Sequence, residues 1–272
     1  KPNAMDNGLH GSVNSGYESN GNSLVSSLKL HQINDKYDIV GNIGYRNFGN
    51  YEDGDGTEIP SSFRSLDYGL RLGYNISDNQ RVQAHWRQSF GRDVLHAGLP
   101  MDTEEDNSSI LSLDYKLSDL NGFIEEVNAK VYYSYVDHIM ANTRRPSFMT
   151  TEALSTIDAS TTGGKIEFKM KPTEKWILYG GLDAMLIARD GGRTRVVKRN
   201  MMGDVLPEPV VFQDKIWQDS YVNDFGIFAE NKYAITDKTM LTAGVRYDLV
   251  VSDIQDPEAD FQELYDNLGQ RE

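Results

Sequence analysis

Residues 65–76 read SLDYGLRLGYNI, and hydrophobic and polar side chains alternate through them without a break. Leu66, Tyr68, Leu70, Leu72, Tyr74 and Ile76 share one parity, while Ser65, Asp67, Gly69, Arg71, Gly73 and Asn75 share the other. A period of two sends successive side chains to opposite faces of a β-strand. The pattern returns at 125–137, where Val127, Ala129, Val131, Tyr133 and Tyr135 oppose Asn128, Lys130, Tyr132 and Ser134. Weaker copies recur along the chain and predict about eleven strands, near 11–18, 23–32, 37–50, 63–76, 80–92, 108–117, 123–138, 162–171, 175–188, 220–235 and 238–252. No stripe of 3.6-residue period competes with them, so few helices are expected.

The connections carry independent information. Tight polar turns sit at 34–36, 77–79, 118–122, 172–175 and 236–238, and long acidic, Gly- or Pro-containing connections at 51–62, 94–107, 140–160 and 190–219. Short and long alternate after the second strand, which is the asymmetry of an outer-membrane barrel. Only the turn at 19–22 is short where a long loop is due. A soluble antiparallel sandwich also alternates. The predicted strands, however, reach about ten residues or more, against the usual five or six of soluble sheets. Tyr68, Tyr74, Tyr133, Tyr135, Trp176, Tyr221 and Tyr233 stand near the ends of apolar faces, as interfacial girdles require. The expected fold class is therefore all-β, an antiparallel transmembrane β-barrel fragment with short turns alternating with long extracellular loops.

Composition narrows the function. With 41 acidic against 27 basic residues in 272, the net charge of −14 argues against sequence-independent nucleic-acid binding. The absence of Cys excludes disulfides, cysteine-ligated metals and a cysteine nucleophile. No apolar run approaches the roughly 18–20 residues of a membrane helix, yet a transmembrane barrel stays polar on average because its faces alternate. There is no HExxH, nucleophile elbow, P-loop or dinucleotide fingerprint, so an enzyme is not expected. Eleven strands is an odd number where bacterial single-chain barrels are even. Residues 253–272 read like a long loop entered and not completed, and no signal peptide precedes Lys1. The expectation is the first half of a larger barrel.

Residues 226–233, GIFAENKY, are followed by ITDK at 235–238 and LTAGVRYD at 241–248. This stretch resembles the mid-barrel hairpin of TonB-dependent outer-membrane receptors, where FA(Q/E)(D/N)x(W/Y) leads through a short turn into LTxGxR(Y/W)(D/E). The opening Lys1-Pro2 is similar to the point where that family's plug ends and its barrel begins. The resemblance implies a 22-stranded barrel in the outer membrane of a Gram-negative bacterium, with residues 1–272 as a partial barrel lacking the plug and the C-terminal barrel half. It further implies active transport of a small scarce ligand, such as a metal ion, an iron siderophore or a similar chelate. Energy would come from the TonB complex, contacted through a plug and TonB box outside this sequence. Outer-membrane lipid and the ligand are the other implied partners, with no resident cofactor. A passive porin and a soluble β-sandwich binding module are the rival readings.

Residues 136–142, VDHIMAN, lead into RRPSFM at 144–149, and LPMD stands at 99–102. Both are similar to the corresponding strand and loops of the family's copper-receptor branch. Imidazole and thioether donors suit copper, the thioether favouring Cu(I). That makes Met101, His138, Met140 and Met149 the candidate metal ligands, with His96, Met201 and Met202 as further loop donors. The plainer alternative is that Met fills gaps and His is a polar strand-end residue. The basic cluster Arg189, Arg193, Arg195, Lys198 and Arg199 falls in or beside the longest predicted loop. Arg193, Arg195, Lys198 and Arg199 are candidate contacts for an anionic ligand or for lipopolysaccharide phosphate; otherwise they form a solvated charged loop. Acidic residues 52–56, EDGDG, lack the full pattern of a calcium loop and read as ordinary exposed chain.

Overall fold

The computed structural model describes residues 6–120, 122–200 and 202–255. They form β1 (Gly8–Glu18), β2 (Ser23–Ile33), β3 (Tyr37–Phe48), β4 (Tyr51–Glu52), β5 (Glu58–Ile59), β6 (Phe63–Ser77) and β7 (Gln80–Val94). After these come β8 (Asp102–Leu117), β9 (Ile124–Ala141), a 3-10 turn (Pro146–Met149), β10 (Thr151–Thr173), β11 (Trp176–Arg199), β12 (Val205–Thr236) and β13 (Thr239–Ile254). Eleven strands make one antiparallel sheet in the order β1-β2-β3-β6-β7-β8-β9-β10-β11-β12-β13, and β4 and β5 form a small separate hairpin. Every neighbour in the large sheet is the next of its strands in sequence, an up-and-down meander. It is not closed: β1 and β13 are its two edges.

Burial in this sheet runs opposite to that of a soluble protein. Among the described residues only Val40 and Ala141 are buried apolar side chains, whereas nine buried ones are polar or charged. Leu66, Leu70, Leu72, Val131, Tyr133 and Val245 are all exposed, Val131 by 58%. A sandwich of this size would hide that apolar set in its core. The other face holds the charges, and they converge. Arg71 lies 3.3 Å from Asp38, and Arg81 of β7 reaches the same carboxylate of β3 across β6. Reaching over an intervening strand belongs to the inner side of a curved sheet. The strand between is smooth there, because Gly73 leaves its own Cβ position to the Arg81 guanidinium.

Aromatic residues mark one border of the apolar face. Register pairs Tyr37 with Tyr74, Tyr74 with Val82, and Val82 with Tyr115, setting three tyrosines on one rung. The rung above carries Ile39, Leu72, Ala84, Leu113 and Val131 and no ring. That is the layering of an interfacial girdle under a lipid-facing band.

Strand boundaries differ from expectation on the side of the long connections. There β8 begins at Asp102, β10 at Thr151 and β12 at Val205, and β11 runs on to Arg199. The connections that read as 94–107, 140–160 and 190–219 shrink to 95–101, 142–150 and 200–204. The reason is physical. Hairpin arms that project past the apolar belt keep their backbone pairing but no longer need one apolar face, so the alternation fades while the ladder continues. Arg193, Arg195, Lys198 and Arg199 accordingly lie in β11 and not in a loop.

Candidate functional site

Five of the eleven buried non-glycine residues among those described cluster at one end of the sheet: Asp102, Thr103, Ala141, Asn142 and Ser155. Asp102, only 1% exposed, ties the 95–101 and 142–150 connections together. It accepts the His96 backbone N–H at 3.0 Å and the Arg145 Nε–H at 2.9 Å, with a second Arg145 contact through Nη2. Arg145 also donates to the His96 carbonyl at 2.5 Å. Arg144 donates to Asp93 at 2.6 Å and to Glu104 at 3.1 Å. Asn142 closes the cluster, donating to the Thr151 carbonyl at 2.7 Å and accepting the Ala153 N–H at 2.8 Å. A buried carboxylate is tolerated here because its charge is matched and its oxygens are hydrogen-bonded.

Backbone register then lays out the inner face beneath these connections. Thr103 of β8 pairs with Met140 of β9, Met140 with Ser155 of β10, Ser155 with Arg193 of β11, and Arg193 with Asp214 of β12. Two residues further into the sheet, the rung is Asp106, His138, Ile157, Gly191 and Trp217. The Ser155 hydroxyl donates to Met101 Sδ at 3.9 Å, so Met101 and Met140 both adjoin Ser155. His96 Nε2 lies 3.0 Å from the Thr103 hydroxyl. His138 Nδ1 lies 3.2 Å from Asp106 Oδ2. A carboxylate only accepts, so Nδ1 is the donor in this contact, and in the neutral ring Nε2 is the nitrogen that carries a lone pair. The arrangement offers two thioethers and one imidazole along the inner wall. Among the described residues no group of three or more His, Asp and Glu is placed to hold a metal ion.

The remaining candidates separate. Met149 ends the 3-10 turn and is 66% exposed, and Met202 is also exposed; Met201 lies outside the described residues. Lys198 pairs with Glu152 at 3.0 Å and caps the Phe148 ring at 3.7 Å, while Arg199 donates to the Gly203 carbonyl at 2.8 Å. Arg193 grips buried Asp214 with Nε at 3.0 Å and with Nη2, and Arg195 approaches the same carboxylate at 3.4 Å. This part of the β11–β12 hairpin stands clear of the apolar belt. Burial pushes the Asp214 carboxyl up, but Arg193 and Arg195 outweigh it and hold the group below its ordinary 3.8. Asp214 in turn raises Arg193. The basic cluster is thus half-buried and ion-paired on a strand, and does not lie in a loop. Sequence reading missed Asp102, Thr103, Ser155 and Asp214. With 140–160 and 190–219 read as loops, no register joined them to Met140.

The sequence profile described as "TonB dependent receptor-like, beta-barrel" matches residues 32–268. No curated protein matches the chain. Among solved structures, the copper transporter OprC is similar with a TM-score of 0.77 at 22% identity, over 92% of this chain and 39% of that one. The FrpB iron transporter from Neisseria meningitidis follows at 0.65 and 16%, over 92% and 42%. The Serratia marcescens hemophore receptor HasR, solved with its hemophore HasA and heme, gives 0.57 and 12%, over 90% and 41%. The chain therefore spans about two fifths of the length of these relatives in fold. With the profile covering most of its length, an open eleven-stranded meander and an outward apolar face, this chain belongs to the TonB-dependent receptor family and forms part of its β-barrel.

Proposed function

We propose that the chain is the N-terminal half of the barrel of an outer-membrane active-transport receptor whose cargo is copper, taken as Cu(I). A 22-stranded barrel, a plug and a TonB box in the rest of the protein would complete it, and coupling to the TonB complex would supply the energy. One observation carries the cargo assignment: His138 and Met140 share the inner face of β9, and Met101 meets Ser155, the register partner of Met140. Thioether sulfur is a soft, neutral donor that retains Cu(I) and discriminates against hard cations, and a neutral imidazole completes such a set. Met149 belongs to the same proposal as a donor that first meets the ion outside, since it stands exposed on the connection next to the site. The likeness in fold to a copper transporter agrees with this reading.

The test is equilibrium dialysis of Cu(I) against the purified full-length receptor. Replacing His138 and Met140 together by Ala is expected to weaken binding by at least about a hundredfold, two lost ligands at roughly tenfold or more each. Heat-modifiable gel migration should remain that of a closed barrel. Unchanged affinity in the folded variant would remove copper as the cargo and leave a siderophore or similar chelate in its place.

A further inference from the structure

Arg195 is oversupplied for the partner it has. Asp214 is a single carboxylate, 3% exposed, and Arg193 already occupies both of its oxygens. Arg195 adds a second guanidinium at 3.4 Å, which leaves the three side chains with one net positive charge. Its Nε is buried and has no acceptor among the described residues. The Phe212 ring lies under its guanidinium, 5.7 Å from the ring centroid, and fixes that plane without using its hydrogens. Nε itself is closed to solvent, but the Arg195 side chain keeps 30% of its surface exposed, so a cation in excess of its carboxylate partner is within reach of an incoming acceptor. Its position matters as much as its charge. Arg193 is the register partner of Ser155, which adjoins Met101 and Met140, and Arg195 is the next inward-facing residue of β11.

We propose that Arg195, aimed by Asp214 and Arg193, is an anion subsite beside the soft donors, so that the receptor takes copper together with an anionic ligand. This rests on the copper reading above and narrows its substrate class to a negatively charged Cu(I) complex. The chemistry is division of labour across three neighbouring rungs of the inner face. Met101, Met140 and His138 recognise the metal, and the Arg195 guanidinium recognises an oxyanion group of the molecule that carries it. A bare cation gains nothing from Arg195, because a neighbouring guanidinium repels it.

The experiment compares two forms of the probe on the full-length receptor. Cu(I) is supplied in acetonitrile or as the anionic bis(thiosulfate) complex, and dissociation constants are measured for wild type, Arg195→Gln and Arg195→Lys. The variant-to-wild-type ratio within each medium cancels the affinity of thiosulfate itself for copper. Arg195→Gln is expected to weaken binding about tenfold in thiosulfate, the worth of one charge-assisted hydrogen bond, and to leave or slightly strengthen binding in acetonitrile. Arg195→Lys, which keeps the charge and spares Asp214, should fall between. Equal weakening in both media would make Arg195 a structural residue and overturn the proposal, as would no change in either. The parallel His138→Ala/Met140→Ala variant separates this from the copper reading, because it should lose affinity in both media. If that variant loses nothing while Arg195→Gln still discriminates, the copper site fails and the anion subsite stands.

Discussion

Arg246 of β13 and Asp183 of β11 form a two-point ion pair across an entire intervening strand, with Nη1 to Oδ2 at 2.6 Å and Nη2 to Oδ1 at 2.9 Å. The strand between them is β12, and the residue under the guanidinium is Gly226. Arg81, Gly73 and Asp38 repeat the arrangement at β7, β6 and β3. Both bridges lie on the polar face, where they lace non-neighbouring strands and hold the curvature that a barrel wall requires.

A methyl group at Gly226 should break that bridge. Its Cβ would occupy the place of the Arg246 guanidinium, while Gly41 has open space around its Cβ position. Gly226→Ala in the full receptor is expected to lower the melting temperature of the barrel, and Gly41→Ala to leave it unchanged or raise it slightly. In an Asp183→Asn background the cost of Gly226→Ala should shrink, because the bridge is already gone. Equal effects in the two backgrounds would show that the glycine serves something else.

The apolar face predicts depth-dependent costs. Leu72 lies on a rung without rings, bordered by the Tyr37, Tyr74 and Tyr115 girdle. Leu72→Arg should destabilise the full barrel by about 2–4 kcal/mol in a membrane-folding titration. Gln83→Arg, on the opposite face of the neighbouring strand, should stay within about 0.5 kcal/mol. Gly69, although on the polar face, is a poor control: an added Cβ would lie 2.9 Å from the Asn42 side chain and 3.3 Å from the Trp86 carbonyl. Equal costs at Leu72 and Gln83 would refute the lipid-facing assignment.

Much of this was legible in the sequence. Period-two alternation located all eleven sheet strands, because within the membrane band the two faces meet lipid and water and must differ. The ends of the strands were not legible. At Ser155, Arg193 and Asp214 both faces of the hairpin meet polar surroundings, so pairing leaves no periodic trace. His138 and Met140 could be named from local likeness and ligand chemistry. Their neighbours Thr103 and Ser155 depend on register across three strands, which no single segment encodes. Arg193 and Arg195 stand out in the sequence for their charge, but only Asp214, far along the chain, turns them into an ion-paired cluster.

Removing Asp102 should open the rim locally. Asp102→Ala strands Arg145, which is 17% exposed, without its carboxylate. A cost of about 3 kcal/mol is expected, toward the low end for breaking a buried pair because Arg145 keeps some contact with water. Hydrogen exchange should quicken at 95–103 and 141–155 and not in the membrane band, since the clamp lies outside it. Faster exchange throughout the sheet would make Asp102 a determinant of the whole barrel instead.

Acid should loosen the β11–β12 hairpin before the band below it. Asp214 has a folded pKa held under its ordinary 3.8 by Arg193 and Arg195. A group depressed on folding stabilises above its unfolded pKa, and that contribution fades as pH falls through the folded value. Amide protection at 191–214 is therefore expected to be constant from neutral pH down to the unfolded value and to drop in stronger acid. Asp214→Asn should reduce that pH dependence, leaving the part owed to Asp190, which Lys215 holds below its ordinary value. Protection that fell instead near pH 6 to 7, where histidines titrate, would point to another group.

Copper K-edge X-ray absorption on the full-length receptor loaded with Cu(I) tests the site most directly, because it reports which atoms touch the metal. The inner-face arrangement of Met101, Met140 and His138 predicts a first shell of mixed sulfur and nitrogen scatterers. Met140→Leu should lose sulfur from that shell while the barrel keeps its heat-modifiable migration. A shell of oxygen and nitrogen alone, the same in wild type and variant, would contradict the assignment of this wall as a soft-metal site.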